Sequence, residues 1–315
     1  MSSEEKIVTG GGIQGGTTGI LEYVSVTNGS LSFLPEDQGY RFIDDSSCLE
    51  VLNLLSVGLS SYNAKSQVAS DVSPLTNYLP TENCQTQTYF DVITKWTSDR
   101  EMLLNDKKTK YMIINFCKSK QFKTRLFINN SLIEQVSQTR LLGVILSEDL
   151  TWHANTQDLV KRAHKRMIML RKLKEFRVKQ KDMLLVYKLY IRSVIEQSSV
   201  VWSSSLTQEE ELALERTQKV ALRLIYQSDN ECYENALLLA DIPTVTERFR
   251  MLAVRFATKC TKSENTAHMF PLAPKPAKDM RMFENFHVPM ARKERFFKSA
   301  IPTMARALNE ENKIP

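Results

Sequence analysis

The second half of the chain carries apolar residues at helical spacing almost without interruption. This pattern predicts six helices after Thr151. They are expected at about 154 to 176, 181 to 199, 207 to 227, 231 to 240, 244 to 262 and 291 to 308. Two of them begin with a threonine followed three residues later by a glutamate, Thr207 with Glu210 and Thr244 with Glu247. Such a pair satisfies free amides of the first turn reciprocally, so both starts are predicted to be capped.

The first half mixes helical and strand patterns. Apolar residues at helical spacing predict one helix from Cys48 to about Ser61 and a second from Gln85 to about Asp99. Asn129-Asn130 is expected to turn one strand into the next, because asparagine tolerates positive φ. The predicted strands are 110 to 116, 123 to 128, 131 to 136 and 141 to 146. The predicted fold class is therefore α+β, with strands and packing helices to about residue 150 and helices alone after it.

Composition places the chain among ordinary folded proteins. Of its 315 residues 42% are apolar and 25% are charged, a balance that argues against a disordered polypeptide. The longest apolar runs are much shorter than the roughly 20 residues that cross a bilayer, so no membrane span is expected. The first residues lack the positive and apolar segments of a secretory signal. An intracellular protein is expected, in the nucleus or the cytoplasm.

The cysteines give no sign of a zinc site. The five cysteines lie at least 28 residues apart, so none forms the closely spaced pair that zinc ligands usually show. The four histidines do not complete such a site either. Reduced, structural cysteines are therefore expected.

Positive charge is concentrated in one segment. The chain has a net charge of +6, but residues 161 to 181 hold ten Lys and Arg against a single acid, Glu175, for a local charge of +9. We call residues 161 to 181 the basic segment. A local excess of this size on a nearly neutral chain indicates a polyanionic partner.

The basic segment also has an apolar face. Five residues at helical spacing are expected to face a core and to leave most of the Lys and Arg to solvent. They are Leu159, Ala163, Met167, Leu170 and Leu173. An ordinary solvated face is the alternative interpretation, but such faces usually mix charges of both signs. The excess favours contact with a phosphate backbone. The candidate contacts are Lys161, Arg162, Lys165 and Arg166.

Phe42-Ile43-Asp44-Asp45 is a candidate for metal chemistry. Adjacent aspartates at a strand end or tight turn can aim their carboxylates at Mg²⁺, which prefers oxygen ligands. In polymerases two such ions flank the attacking and the leaving oxygen of an in-line displacement. The aspartates, followed by Ser46 and Ser47 and a predicted helix, also fit an ordinary helix N-cap. The residues alone leave both interpretations open.

Several motifs, in their order along the chain, resemble those of reverse transcriptases of LINE-type (non-LTR) retroelements. The resemblance covers nearly the whole chain. The matching segments are Gly12-Ile13-Gln14-Gly15-Gly16, Phe42-Ile43-Asp44-Asp45, Trp96 with Leu104-Asn105 and Lys108-Thr109-Lys110, Leu141-Leu142-Gly143-Val144, Trp152-His153 with the basic helix after it, Tyr187 to Trp202, and Leu214 to Arg223. Members of this family are RNA-directed DNA polymerases, so the resemblance implies a polymerase palm followed by a helical thumb.

The resemblance implies a role for each matched residue. Asp44 and Asp45 would hold Mg²⁺ as the catalytic ligands, and Lys108 would assist the departure of pyrophosphate as an acid. The implied contacts to template or nucleotide are Gln14, Gly15 and Phe42, and the implied primer-grip residues are Leu142 and Gly143. The implied partners are an RNA template and a DNA primer, or an RNA/DNA hybrid.

The resemblance also implies a domain organisation. Residues 1 to 150 would form a partial palm of antiparallel strands with packing helices, an incomplete version of the polymerase palm. Residues 151 to 230 would form a helical, thumb-like region, and residues 231 to 315 a C-terminal helical region.

Two departures from the family pattern affect the expected activity. Ile13 stands where the family usually has proline, next to the Gln-Gly motif. In addition, the family carries its first metal aspartate and its fingers upstream of that motif, and only 13 residues precede Gln14 here. A two-metal site without one of its carboxylates cannot hold both ions in place, so little or no polymerase activity is expected from this chain alone. The alternatives are a non-catalytic nucleic-acid-binding protein that uses the basic thumb helix and a decayed element copy without function.

Overall fold

The structure, a computed structural model, describes residues 39–42, 45–48, 76–78, 85–100, 104–116, 121–226, 232–274 and 285–311. Contacts divide the chain into two compact units, Met1–Ser137 and Gln138–Pro315, which we call the N-terminal unit and the helical unit. Each unit contains both helices and strands, so the α+β class is confirmed. The domain bounds of 1 to 150, 151 to 230 and 231 to 315 stay predictions.

Strands of the N-terminal unit are short and pair two by two. In chain order they are β1 (Gly39–Phe42), β2 (Asp45–Cys48), β3 (Thr76–Tyr78), β4 (Lys110–Tyr111), β5 (Gln121–Lys123), β6 (Phe127–Ile128), β7 (Ser131–Leu132) and β8 (Glu134–Gln135). The β1–β2 and β6–β7 pairs are antiparallel, whereas β3–β5 and β4–β8 are parallel. The expectation of antiparallel strands is wrong for these two parallel pairs, whose partners are far apart in sequence and therefore leave no local signal.

The turn at Asn129-Asn130 is confirmed. Both residues have positive φ, 50° and 63°, and they connect β6 to β7 with Ile128 paired to Ser131. The strands around this turn are shorter than predicted. Lys110 to Phe116 is a strand only at its first two residues, and 123 to 128 is divided between β5 and β6.

Helix α1 (Gln85–Ser98) agrees with the second predicted helix of this half. The side-chain amide of Gln87 pairs with the backbone of Phe127, donating to its carbonyl at 3.0 Å and accepting from its N–H at 2.9 Å. This attaches the helix to β6. The small core beside it consists of Phe90, Leu126, Ile128 and Ile133. The other helix expected in this half was to begin at Cys48, but Cys48 lies in a strand, and residues 49 to 61 are outside the described residues.

The helical unit begins with a hairpin. β9 (Gln138–Leu141) pairs antiparallel with β10 (Val144–Ser147), with Leu141 opposite Val144. The prediction of a single strand from Leu141 to Leu146 is therefore wrong. Leu142 and Gly143 form the connection with φ of 48° and 84°. Two successive residues at positive φ reverse the chain as in a type I′ turn.

The remaining elements of the helical unit are helices. They are α2 (His153–Glu175), α3 (Gln180–Val186), α4 (Arg192–Glu196), α5 (Ser199–Trp202), α6 (Gln208–Tyr226), α7 (Tyr233–Ala240), α8 (Val245–Thr261), α9 (Glu294–Phe297) and α10 (Ala300–Glu311). The predicted helices at 154 to 176, 207 to 227, 231 to 240 and 244 to 262 are confirmed. No helix of the described residues is long and apolar enough to cross a membrane.

Both predicted caps are present. The Thr207 backbone N–H donates to Glu210 at 2.8 Å, and the Glu210 N–H donates to the Thr207 hydroxyl at 3.3 Å. At the start of α8 the same reciprocal bonds join Thr244 and Glu247, at 3.1 and 3.2 Å. These bonds fix where the two helices begin.

The helix predicted at 181 to 199 is interrupted twice. Tyr187–Ile191 forms a π-helical turn, in which the Arg192 N–H donates to the carbonyl of Tyr187 five residues earlier. The helix then ends at Glu196, and Ser198 adopts a left-handed φ of 52° before α5 begins. The Trp202 indole N–H donates to the carbonyl of Gln197 at 3.0 Å and holds this bend in place.

The predicted helix at 291 to 308 is also divided, into α9 and α10. Pro302 lies in the first turn of α10, where a missing N–H costs no helical bond, so the helix starts just before it.

Two apolar cores hold the helical unit together. The larger core contains Tyr187, Ile195, Trp202 and Leu214 among its fully buried side chains, and Trp202 meets Phe249 edge to face with ring centroids 5.2 Å apart. A smaller core lies between α8 and α10. Helix α8 contributes to both cores and therefore couples the two ends of this unit.

Candidate nucleic-acid interface

Helix α2 carries the first part of the basic segment on its polar side and buries an apolar stripe on the opposite side. Leu159, Ala163, Met167 and Leu170 are at most 1% exposed, and Leu173 is partly buried against the same core. The predicted core-facing residues of this helix are therefore confirmed. The polar side of α2 is left to solvent, as amphipathic spacing requires.

Lys161 and Lys165 lie on that polar side. They are one helical turn apart and both are exposed. Neither forms a salt bridge with any residue that the structure describes. Two unpaired ammonium groups on one helical face are available to an anion, so both keep the predicted role as candidate phosphate contacts.

Arg162 and Arg166 differ from the lysines because their guanidinium groups already have partners. Arg162 Nε lies 2.8 Å from Asp158 Oδ2, and Arg162 Nη1 donates to Gln197 Oε1 at 3.1 Å. Arg166 donates to the carbonyl of Tyr190 and lies 4.5 Å from the centroid of that ring. A guanidinium has five N–H donors, so these partners orient both groups without using all of their donors.

The β9–β10 turn lies directly beside this helix. A Cβ added to Gly143 would overlap Gln197 Nε2, so the backbone of the turn and the Gln197 amide are in close contact. Gln197 also accepts the hydrogen bond from Arg162. The structure thus brings together Gly143 and Arg162, which belong to two separate motifs of the sequence. Leu142, next to Gly143, is half exposed.

Asp158 connects the hairpin to α2 from another direction. Its Oδ1 lies 3.1 Å from Arg140 Nη2 of β9, and its Oδ2 contacts Arg162. Arg140 in turn donates to the carbonyl of Gly143 at 3.4 Å. Burial acts to raise the pKa of Asp158, but the hydrogen bond from Arg140 and the charges of Arg162 and Arg140 outweigh it, and the pKa lies below its usual range. Asp158 is therefore an anion held between two cations.

Sequence reasoning did not identify Arg140, Asp158 or Gln197. Asp158 and Arg162 are four residues apart on α2, a spacing at which opposite charges pair on helices, and this signal was available. Arg140 and Gln197 had no comparable signal, because their contacts depend on the hairpin and on the bend after α4. Within the described part of the chain, the cluster thus presents arginines that are held by partners and lysines that form no salt bridge.

The residues implied to hold metal or nucleotide belong to the first 45 residues of the chain. Gln14, Gly15 and Asp44 lie outside the described residues, and Phe42 and Asp45 are described only as strand residues. Phe42 pairs with Asp45 at the end of the β1–β2 pair. The N-cap interpretation is wrong for Asp45, Ser46 and Ser47, since all three lie in β2.

Lys108, the implied acid, is exposed and lies in a turn before β4. Its backbone N–H donates to the Asn105 side chain at 3.1 Å, so the turn is held locally. Lys110, two residues later, forms a salt bridge with Glu134 at 3.1 Å. Within the described part of the chain, no group of three His, Cys, Asp or Glu residues could hold a metal ion.

Comparison with known proteins gave no relative. The chain matches no protein-family model, no curated protein and no solved structure.

Proposed function

We propose that the chain is a reverse transcriptase-like protein, derived from a retrotransposon, whose helical unit binds the backbone of an RNA/DNA hybrid. The observation that carries the proposal is the contact between the β9–β10 turn and the basic face of α2. The resemblance assigns the turn to the primer and the helix to the nucleic-acid backbone, and the two lie against each other through Gln197 and Asp158.

The charge of this surface supports a polyanionic partner. Lys161 and Lys165 form no salt bridge with the described residues, and Arg140 and Arg162 keep donors beyond those bound by Asp158 and Gln197. Phosphate contacts of this kind supply most of the affinity of non-specific nucleic-acid binding.

The metal site forms a second part of the proposal. Asp44 and Asp45 would hold Mg²⁺, which would stabilise the attacking and leaving oxygens during nucleotide transfer. Phe42 pairs with Asp45 at the end of the β1–β2 pair, so the second of the two aspartates lies at a strand end. Asp44 and Asp45 are the two carboxylates of such a site that the resemblance identifies in this sequence.

Primer extension on an RNA template with Mg²⁺ tests that second part. The chain and Asp44→Asn should both give no product. Synthesis by the chain that Asp44→Asn abolishes would show a complete catalytic site and contradict the expected inactivity.

A binding titration tests the interface. Fluorescence anisotropy with a labelled RNA/DNA hybrid should show an affinity that falls with salt. Lys161→Gln/Lys165→Gln should reduce the slope of log affinity against log salt by about 2, since each phosphate that the protein no longer neutralises lowers the slope by about 0.9. Lys259→Gln/Lys262→Gln is the matched control, because it removes the same charge from exposed lysines at the end of α8.

The control pair should leave the slope nearly unchanged. Equal losses from both pairs would show that only net charge matters and would exclude a defined interface on α2. An affinity that does not depend on salt would exclude binding to the phosphate backbone. That result is expected if the chain is a decayed element copy without function. Binding without synthesis is the outcome expected here, and the second candidate function, a non-catalytic nucleic-acid-binding protein that uses the basic thumb helix, predicts the same outcome.

A further inference from the structure

We propose that Asp158 and Gln197 are positioning residues that hold the β9–β10 turn and the guanidinium groups of Arg140 and Arg162 in one fixed arrangement against the nucleic acid. The inference rests on the proposed function. Neither side chain needs to touch the nucleic acid, since each acts through the groups it holds.

Gln197 is the residue on which the turn rests. The Gly143 backbone leaves no room for a side chain between the turn and the Gln197 amide. The Gln197 Oε1 accepts from Arg162 at 3.1 Å, so the same amide fixes a cation. Gln197 comes directly after α4, and its own carbonyl is bound by the Trp202 indole. Its backbone is therefore fixed by a fully buried side chain.

Asp158 forms salt bridges with two arginines and so holds them close together on one surface. Arg140 and Arg162 each lie within 3.1 Å of one of its oxygens. Without this anion the two guanidinium groups would repel each other and would sample many rotamers. Ordering a long side chain costs binding free energy, so a group that is already ordered binds more tightly.

Electrostatics and positioning predict opposite effects for Asp158→Asn. The substitution removes a negative charge from a surface that binds a polyanion, so electrostatics alone predicts a higher affinity. Positioning predicts a lower affinity, because the two arginines lose the group that orders them. Gln197→Ala changes no charge, so electrostatics predicts no effect whereas positioning again predicts a loss.

The test is anisotropy of the full chain with a labelled RNA/DNA hybrid over a range of salt concentrations. Asp158→Asn and Gln197→Ala are each expected to weaken binding by on the order of 3- to 10-fold, as expected when one or two side chains must be ordered on binding. Each should also lower the slope of log affinity against log salt, by about 0.9 for every phosphate that is no longer bound.

Two exposed positions provide matched controls. Asp182→Asn removes the same charge, and Gln208→Ala makes the same kind of truncation at a glutamine outside the cluster. Asp182→Asn should bind slightly more tightly, and Gln208→Ala should bind like the parent chain. Circular dichroism checks that every variant is folded, and if Asp158→Asn does not fold, Gln197→Ala decides the question.

The outcomes separate the inference from the proposed function. If the parent chain shows no salt-dependent binding, the proposed function fails and the inference fails with it. If the parent chain binds and Asp158→Asn tightens binding as Asp182→Asn does, the inference alone is overturned. Unchanged binding and an unchanged salt slope for Gln197→Ala would overturn it equally.

Discussion

Two hairpin turns of this chain have similar backbones but different residues. Asn129-Asn130 in the N-terminal unit has φ of 50° and 63°, and Leu142-Gly143 in the helical unit has φ of 48° and 84°. Asparagine is among the side chains that tolerate positive φ best, whereas leucine is a poor choice there. The residues of the first turn therefore suit its backbone conformation. The leucine of the second turn does not, so its backbone conformation must have another cause.

That difference is explained by what surrounds each turn. Asn129 and Asn130 are exposed. Gly143 instead lies against the Gln197 amide. Its lack of a side chain therefore permits both the positive φ of the turn and the close contact with Gln197. Leu142 occupies its unfavourable φ while half of its side chain stays in solvent, so burial does little to offset the strain. The β9–β10 turn is therefore shaped by its neighbours more than by local preference.

The largest effect is expected at Gly143. Gly143→Ala would strain a φ of 84° and would displace the Gln197 amide, which breaks its hydrogen bond to Arg162. We expect a loss of about 2 to 3 kcal/mol in the free energy of unfolding, from backbone strain plus one broken hydrogen bond of a charged donor. Urea unfolding followed by circular dichroism measures it, since the helical unit supplies most of that signal.

A double variant separates the two contributions. Gly143→Ala in a Gln197→Ala background meets no amide, so only the strain of about 1 kcal/mol should remain. Equal costs of Gly143→Ala in both backgrounds would show that the contact with Gln197 contributes nothing.

An intermediate effect is expected at the corresponding position of the other turn. Asn130→Ala places alanine at a φ of 63° on an exposed turn, so only backbone strain is added. We expect a local loss of about 1 kcal/mol. Hydrogen exchange of the amides of β6 and β7 measures it. A loss as large as that of Gly143→Ala would remove the distinction between the two turns.

The smallest effect, and one of opposite sign, is expected at Leu142. Leu142→Asn supplies a residue that tolerates a φ of 48° and gives up a side chain that is only half buried. The two changes nearly cancel, and we expect a gain of about 0.5 kcal/mol. The same urea titration measures it. A decrease in stability of more than about 1 kcal/mol would mean that Leu142 packs more firmly than its exposure indicates.

The sequence predicts the local parts of this fold well. The buried stripe of α2, the caps at Thr207 and Thr244 and the turn at Asn129-Asn130 all follow from residues within a few positions of one another. Helical periodicity is likewise a local property, so most long helices begin and end close to where the pattern predicts.

What the sequence does not predict depends on distant partners. The parallel pairs join strands that are far apart in the chain. The leucine in the β9–β10 turn extends the apolar pattern across the turn, so the hairpin is predicted as one continuous strand. The four basic residues proposed to bind phosphate look alike in sequence. Among the described residues, Arg162 and Arg166 are nevertheless bound to Gln197 and Tyr190, which lie far along the chain, whereas Lys161 and Lys165 form no salt bridge.

The π-helical turn at Tyr187–Ile191 decides which changes in the length of this segment the interface can accept. A π turn holds one more residue than an α turn, and one residue corresponds to a rotation of about 100° around a helix axis. Deleting one residue within the π turn would restore a regular α turn and leave the orientation of Gln197 unchanged, whereas deleting one between Arg192 and Gln197 would turn Gln197 away from Gly143 and Arg162. Point substitutions at exposed positions such as Leu189 leave that register intact. Insertions and deletions between Arg192 and Gln197 are therefore the changes that this interface should tolerate least.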